Sequence, residues 1–106
     1  MRKMLGFALL ASQCIVYAAN AADVPVDQAG QKFNPDSITV KAGDSVTFTN
    51  KDDVTHNIHV ITSGGDSEDK GLQKPGENIK ETFAKAGDYQ VRCSIHPKMK
   101  MTVTVQ

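Results

Sequence analysis

The sequence predicts an all-β fold, an antiparallel β-sandwich, from three observations. Apolar and polar residues alternate with a period of two in several short segments, which is the pattern of strands that bury one face. Turns that contain glycine separate these segments. Beyond the N-terminal segment, no stretch carries the apolar stripe of an amphipathic helix. Many short strands with turns between them are typical of a β-sandwich.

The predicted strands are arranged around two copies of the tetrapeptide KAGD. Residues 36–50 read DSITVKAGDSVTFTN and residues 78–93 read NIKETFAKAGDYQVRC, so each segment holds one such turn between two alternating stretches. Residues 100–106, KMTVTVQ, predict a closing strand. Residues 62–78 are rich in glycine and charge and predict a solvated loop. The acidic run at residues 66–70 is either ordinary solvated surface or a docking patch for a cationic partner.

The N-terminus predicts a secretory signal peptide over residues 1–21. A basic start is followed by an apolar run at residues 4–19 and by an Ala-x-Ala arrangement, which are the three parts of such a signal. We therefore expect cleavage near Ala21 or Ala22, a periplasmic protein, and a single domain over residues 22–106. Two alternatives are a retained membrane anchor, for which the run is short, and lipidation at Cys14, which follows a bulky glutamine instead of a small residue.

Cleavage would leave one cysteine, Cys93, which can form no internal disulfide. A lone thiol in an oxidising compartment indicates a bound metal. Cleavage would also remove two of the twelve basic side chains and leave ten against twelve acidic ones. This balance gives no support to nucleic-acid binding. Residues Tyr89, Val91 and Cys93 share one face of a predicted strand, so we expect the thiol to point towards the core.

The metal ligands are predicted by the sequence CSIHPKM at residues 93–99, which spaces Cys93, His96 and Met99 at three-residue intervals. Upstream, HNIH supplies His56 and His59 where a turn gives way to a strand. Strand alternation places these two imidazoles on opposite faces, so only one of them is expected to bind the metal. Methionine is not a usual zinc ligand. One thiolate, two imidazoles and a weak axial thioether define a blue-copper site.

The axial ligand has two candidates, Met99 and Met101, because both follow His96 at spacings that suit a loop ligand. Met101 belongs to the predicted closing strand and Met99 precedes it; the choice of Met99 as the ligand, with Met101 as a core or strand residue, is what the family resemblance described next implies.

At these motifs the chain resembles the cupredoxins, and within them the amicyanin–plastocyanin branch. The resemblance runs through FNPDSITVKAGDSVTFTN, HNIHV and AGDYQVRCSIHPKM. It implies a Greek-key sandwich and one type 1 copper ion per chain. It also implies that Asn57 braces the loop after the cysteine near Ser94. The ligands that it implies are His56, Cys93, His96 and Met99.

The resemblance implies an exported blue copper protein, and no enzyme, that shuttles single electrons between transient redox partners such as a dehydrogenase or a c-type cytochrome. A monomer without membrane or nucleic-acid contacts is expected. The alternative is a copper-delivery protein without electron transfer.

Two positions depart from the relatives. Thr55 stands where proline is common before the first histidine, and Lys98 replaces an apolar residue beside His96, which makes that surface more basic.

Overall fold

The computed structural model describes residues 21–106, which form nine strands in two sheets. No helix within this range is long and apolar enough to cross a membrane. The predicted signal peptide, its cleavage and the lipidation of Cys14 fall on residues 1–20 or on their junction with the domain, so they stay predictions.

The strands are β1 (Asp23–Ala29), β2 (Lys32–Asn34), β3 (Ser37–Val40), β4 (Ser45–Asn50), β5 (His56–Thr62), β6 (Ser67–Gln73), β7 (Asn78–Thr82), β8 (Gly87–Arg92) and β9 (Lys100–Val105).

The two sheets pack as the predicted β-sandwich. One has the strand order β2-β1-β4-β7, and the other has the order β3-β9-β8-β5-β6. The predicted sandwich is confirmed, and its sheets are mixed, since two of the strand pairs are parallel instead of antiparallel. Strands β1 and β4 run parallel, and so do β3 and β9. Parallel neighbours need a long connection. Between β1 and β4 the chain first forms β2, beside β1 in the same sheet, and then crosses to the opposite sheet to form β3.

The core lies between the sheets and is built by the alternation that the sequence predicts. Val91 is fully buried and Cys93 is 1% exposed, while Tyr89 is half-buried against Phe83. The thiol therefore points inward at the end of β8. The buried apolar side chains are Val26, Phe33, Val40, Val46, Phe48, Ile58, Val60, Phe83, Val91, Cys93, Met99, Met101, Val103 and Val105.

The predicted loop at residues 62–78 is wrong in its middle, where Ser67–Gln73 form β6. This strand lies at the edge of the five-stranded sheet and pairs antiparallel with β5. An edge strand has one open side and tolerates charge on both faces. Of its seven residues only Gln73 is buried, which explains why the segment lacks an apolar pattern. The acidic run at residues 66–70 is therefore largely strand.

Candidate metal centre

Three of the predicted ligands meet at one end of the sandwich. His56 begins β5, Cys93 directly follows β8, and His96 lies in the loop between β8 and β9. Because β5 and β8 are hydrogen-bonded neighbours, the side chains converge. The Nδ1 atoms of His56 and His96 lie 3.2 Å apart, and the Sγ atom of Cys93 lies 3.9 Å from the first and 3.5 Å from the second.

These three atoms have the spacing that one metal ion requires. A point equidistant from them lies about 2.1 Å from each, which is close to the roughly 2.0–2.1 Å of a metal–imidazole bond. His56 is fully buried and Cys93 is 1% exposed, whereas His96 is half-buried. Two imidazoles and one thiolate are the in-plane donors of a type 1 copper site. The residues present therefore fit copper, with one ligand near the surface and two inside.

The ligand loop is closed by three backbone hydrogen bonds. The amide of His96 donates to the carbonyl of Cys93 at 3.2 Å, and the amide of Met99 donates to the carbonyl of His96 at 2.8 Å. The amide of Cys93 donates to the carbonyl of Met99 at 3.1 Å, which joins the two ends of the loop. This network holds the backbone of all three residues in a tight turn, as a preorganised ligand loop requires.

The two candidate axial ligands occupy different positions. Met99 is 1% exposed and is the last residue of the ligand loop, one position before β9. Met101 is 2% exposed, lies inside β9 and is paired with Val91. Val91 precedes Cys93 by two residues, so Met101 lies one inward-facing step further from the ligands than Met99 does.

Asp52 orients His56 and links it to the opposite sheet. The Nε2–H of His56 donates to Oδ2 of Asp52 at 2.7 Å. Because a carboxylate only accepts, this bond puts the imidazole proton on Nε2 and turns the lone pair of Nδ1 towards the metal position. Asp52 also accepts the amides of Gly30 at 2.7 Å and Gln31 at 2.9 Å. Those two residues form the turn between β1 and β2.

The turn at residues 30–31 has left-handed backbone angles, with φ of +62° at Gly30 and +55° at Gln31. Such a conformation is uncommon for a residue other than glycine, and the carboxylate of Asp52 supports it by accepting both amides. Burial by itself raises the pKa of Asp52, but the hydrogen bonds from His56, Gln31 and Gly30 outweigh this effect and lower the pKa. The group therefore stays ionised beside the ligand.

The crossover from β4 to His56 is held by the side chain of Asn50. Its Nδ2 donates to the carbonyl of Val54 at 2.8 Å and to that of Gln73 at 3.1 Å. Its Oδ1 accepts the amide of Asp52 at 2.9 Å. One fully buried amide thus bonds two residues of the crossover, Asp52 and Val54, and ties them to Gln73 in β6.

Asn57 connects β5 to the ligand loop. Its Oδ1 accepts the amide of Ser94 at 2.9 Å, and its Nδ2 donates to Oδ1 of Asp69 at 2.7 Å. His59 faces the other side of β5, where its Nδ1 lies 3.0 Å from Oγ of Ser94. The metal-binding cluster within the described range holds His56, Cys93 and His96 and does not include His59.

Asp52 and Asn50 are the site residues that sequence reasoning missed. A weak signal was present, because Asp52 precedes His56 by four residues and metal-bound histidines commonly donate their second nitrogen to a carboxylate. Asp53 is equally acidic in sequence but exposed. Only the fold of the crossover distinguishes these two neighbours.

Comparison with known proteins agrees with this geometry. The family described as "Copper binding proteins, plastocyanin/azurin family" matches residues 20–106. Amicyanin from Paracoccus denitrificans is 34% identical over 103 residues, covering 93% of this chain and 79% of that protein. Chloroplastic plastocyanin from Tetradesmus obliquus is 37% identical over 92 residues, covering 77% of this chain and 63% of that protein. A solved structure of a reduced amicyanin variant superposes with a TM-score of 0.73 at 32% identity, covering 84% of this chain and 86% of that chain.

The matched relatives and the converging ligand atoms together identify the centre chemically. His56, Cys93 and His96 form a type 1 copper site.

Proposed function

Because this chain belongs to the copper-binding plastocyanin/azurin family, we propose that it is an exported carrier of single electrons. Copper, when bound, supplies the one-electron couple between Cu(II) and Cu(I). The observation that carries the proposal is the placement of the ligands, with Cys93 and His56 buried and His96 half-buried at the surface. Two of the ligands in such a site are shielded from solvent, and the imidazole edge of His96 at the surface offers a path for the electron.

The surface around His96 supports transient docking. The large apolar side chains that are exposed within residues 21–106 are Val54, Leu72 and Ile95, with exposed fractions of 38%, 65% and 50%. All three belong to the ligand end of the sandwich, because Ile95 precedes His96, Val54 lies in the crossover, and Leu72 is paired with Asn57. A small apolar face of this kind fits the short-lived contacts of redox proteins, which bury less than about 1,200 Å².

The hydrogen bonds around the ligands support fast transfer. Asp52 holds His56 from one side, and Asn57 and Ser94 hold the ligand loop from the other. When the charge of the metal changes, a site held by such outer bonds needs little rearrangement. The bracing role of Asn57 and Ser94 in the copper site is part of our proposal.

We propose that Met99 would supply the weak thioether ligand to the copper. The support is its place in the ligand loop, where its backbone bonds both Cys93 and His96, and its nearly complete burial. We further propose one copper per chain and no catalytic activity, since the chain has only three histidines and two of them bind this copper.

The proposed setting is the periplasm, and the proposed partners are a dehydrogenase and a c-type cytochrome that bind a monomeric carrier one after the other. Relatives named amicyanin and "Methylamine utilization protein MauL", both at 30% identity or more, support a bacterial redox setting.

Copper delivery without electron transfer is the competing function, and copper retention distinguishes the two. We would cycle the copper-loaded protein between Cu(II) and Cu(I) in the presence of a water-soluble Cu(I) chelator such as bathocuproine disulfonate. A carrier of electrons keeps its copper through many cycles, because two of its three in-plane ligands are buried. Stoichiometric loss to the chelator after one reduction would favour delivery.

A further inference from the structure

A row of basic side chains crosses the outer face of the five-stranded sheet, next to the copper ligands. His59 is paired with Arg92, and Arg92 is paired with Lys100. Directly paired residues on neighbouring strands share one face of the sheet. The residues that follow or precede them along the strands, Val91 and Met101, are buried, so Arg92 and Lys100 face outward.

The ligand loop brings this row close to copper. Arg92 is bonded directly to Cys93, and Lys98 lies exposed between the ligand His96 and Lys100. A shallow pocket next to the thiol ligand is lined by His59, Ile61, Arg92, Cys93, Ser94 and Pro97. We call Arg92, Lys98 and Lys100 the basic patch.

The charges of the basic patch are not neutralised within the described part of the chain. The lysine–carboxylate salt bridges in residues 21–106 are formed by Lys70 and Lys80, and none includes Arg92, Lys98 or Lys100. Two like charges directly opposite on neighbouring strands destabilise a sheet, so the pairing of Arg92 with Lys100 has a cost that no internal partner offsets.

Two acidic groups lie near the basic patch, and neither cancels it. Asp69 is paired with His59, its carboxylate is held by hydrogen bonds from Gly71 and Asn57, and within residues 21–106 it forms no salt bridge with Arg92, Lys98 or Lys100. Asp36 lines a shallow groove together with Lys32, Lys98 and Lys100, so the lining of that groove holds three lysines and one carboxylate. Residues 22–106 hold ten basic and twelve acidic side chains. The basic patch therefore opposes the net charge of the domain.

We propose that the basic patch is a docking surface for an acidic redox partner protein, whose carboxylates bind Arg92, Lys98 and Lys100 and so bring its own redox centre against the copper end. This inference rests on the proposed electron-carrier function. Complementary charge steers encounter and fixes orientation more than it adds affinity. The apolar face around His96 would supply close contact, while the basic patch selects the sign of the partner's charge.

The first test maps the surface without electron transfer. We would titrate the isotope-labelled, diamagnetic Cu(I) protein with a hexaglutamate peptide and follow the backbone amide signals. The expected result is a set of shifts concentrated at residues 92, 98 and 100 that disappears at high salt. Shifts that occur equally with inorganic phosphate would show a general small-anion site and overturn the proposal. Shifts scattered over the molecule would overturn it as well.

The second test measures the rate of one-electron oxidation of the Cu(I) protein by hexacyanoferrate(III), which leaves as hexacyanoferrate(II). Arg92→Glu and Lys100→Glu should each slow the reaction by about threefold or more at low ionic strength, because each reverses a charge within about one Debye length of the docked anion. Lys85→Glu is the matched control. This variant changes the net charge by the same amount. Lys85 lies just before the first residue of β8, at the end of that strand opposite the copper ligands.

A rate that falls equally in all three variants would show a net-charge effect and contradict the docking surface. The reduction potential of each variant is measured, so that the rates can be corrected for changes in driving force. If the charge reversal in Arg92→Glu prevents folding, Arg92→Gln is used instead. Failure of the parent protein to cycle between Cu(II) and Cu(I) would refute the electron-carrier function instead, and the peptide titration would still report on the basic patch.

Discussion

At the scale of single residues, the carboxylate of Asp52 is the group that ties a copper ligand to both sheets. It accepts from His56 and from the turn at Gly30 and Gln31, and it is 14% exposed, whereas His56 is fully buried. A negative charge at this place stabilises Cu(II) relative to Cu(I), because the oxidised ion carries the larger positive charge.

Replacing Asp52 by asparagine should therefore raise the reduction potential, by an amount on the order of tens of millivolts. Voltammetry of the copper protein measures this directly. Asp53→Asn is the matched control, since Asp53 is an exposed neighbour of the same charge and should change the potential much less. Equal shifts in the two variants would show that Asp52 acts only through net charge and has no special relation to His56.

The two buried methionines give a second comparison between single residues. Met99→Leu should alter the visible spectrum and raise the reduction potential, because an axial thioether donor to Cu(II) is lost. Met101→Leu should leave both unchanged and cost less than about 1.5 kcal/mol of unfolding free energy, as volume-conserving core changes do. If Met101→Leu perturbs the copper spectrum and Met99→Leu does not, the axial ligand is Met101.

At the scale of elements, the two KAGD turns show how one tetrapeptide is used in two ways. In the first turn, Asp44 accepts the amides of Lys41 and Ala22, each at 2.9 Å, and is buried. In the second turn, Asp88 is exposed. The backbone amides of Lys41 and then of Ala22 lower the pKa of Asp44, against the opposing effect of burial.

A lowered pKa in the folded state predicts that stability falls at acid pH. The contribution of Asp44 is fully present above its unfolded pKa, which is about 3.9, and is lost as the pH falls through the lower folded value. Asp44→Asn should therefore lower the melting temperature at pH 6 and make less difference near pH 2.5. Asp88→Asn should have little effect at either pH. A constant difference between parent and Asp44→Asn across this range would contradict the assignment.

The β6 edge strand shows where sequence reasoning about elements ends. The alternating segments around both KAGD turns could be predicted because each buries one face against the core. Ser67–Gln73 buries only Gln73, so its strand conformation comes from pairing with β5, a partner that local composition does not identify. For the same reason Asp52 and Asp53 are indistinguishable in sequence, although one contacts a copper ligand and the other is exposed.

At the scale of the whole molecule, the copper site belongs to one sheet and is braced from the other. His56 comes from β5, Cys93 directly follows β8, and His96 lies in the loop between β8 and β9, all strands of the five-stranded sheet. Asp52 reaches the turn of the four-stranded sheet, and Asn50 extends from β4 to Gln73 in β6. The site is therefore anchored across the sandwich, as a centre that changes charge without rearranging requires.

The ligand set could be predicted from sequence more fully than the sheet topology. The spacing of Cys93 and His96 lies within one short loop, so local chemistry determines it. The parallel pairing of β1 with β4 and of β3 with β9 depends on how the chain crosses between sheets, and the alternation of single strands contains no information on that choice.

The proposed electron-carrier function requires that His56, Cys93 and His96 hold one copper ion bonded to the Cys93 thiolate. The most direct measurement is the visible spectrum of residues 22–106 titrated with Cu(II), beside the Cys93→Ala variant. We predict an intense blue thiolate-to-copper band that saturates at one copper per chain and is absent from the folded variant. A folded parent protein that stays colourless with bound copper, or a band that survives in Cys93→Ala, would contradict the account.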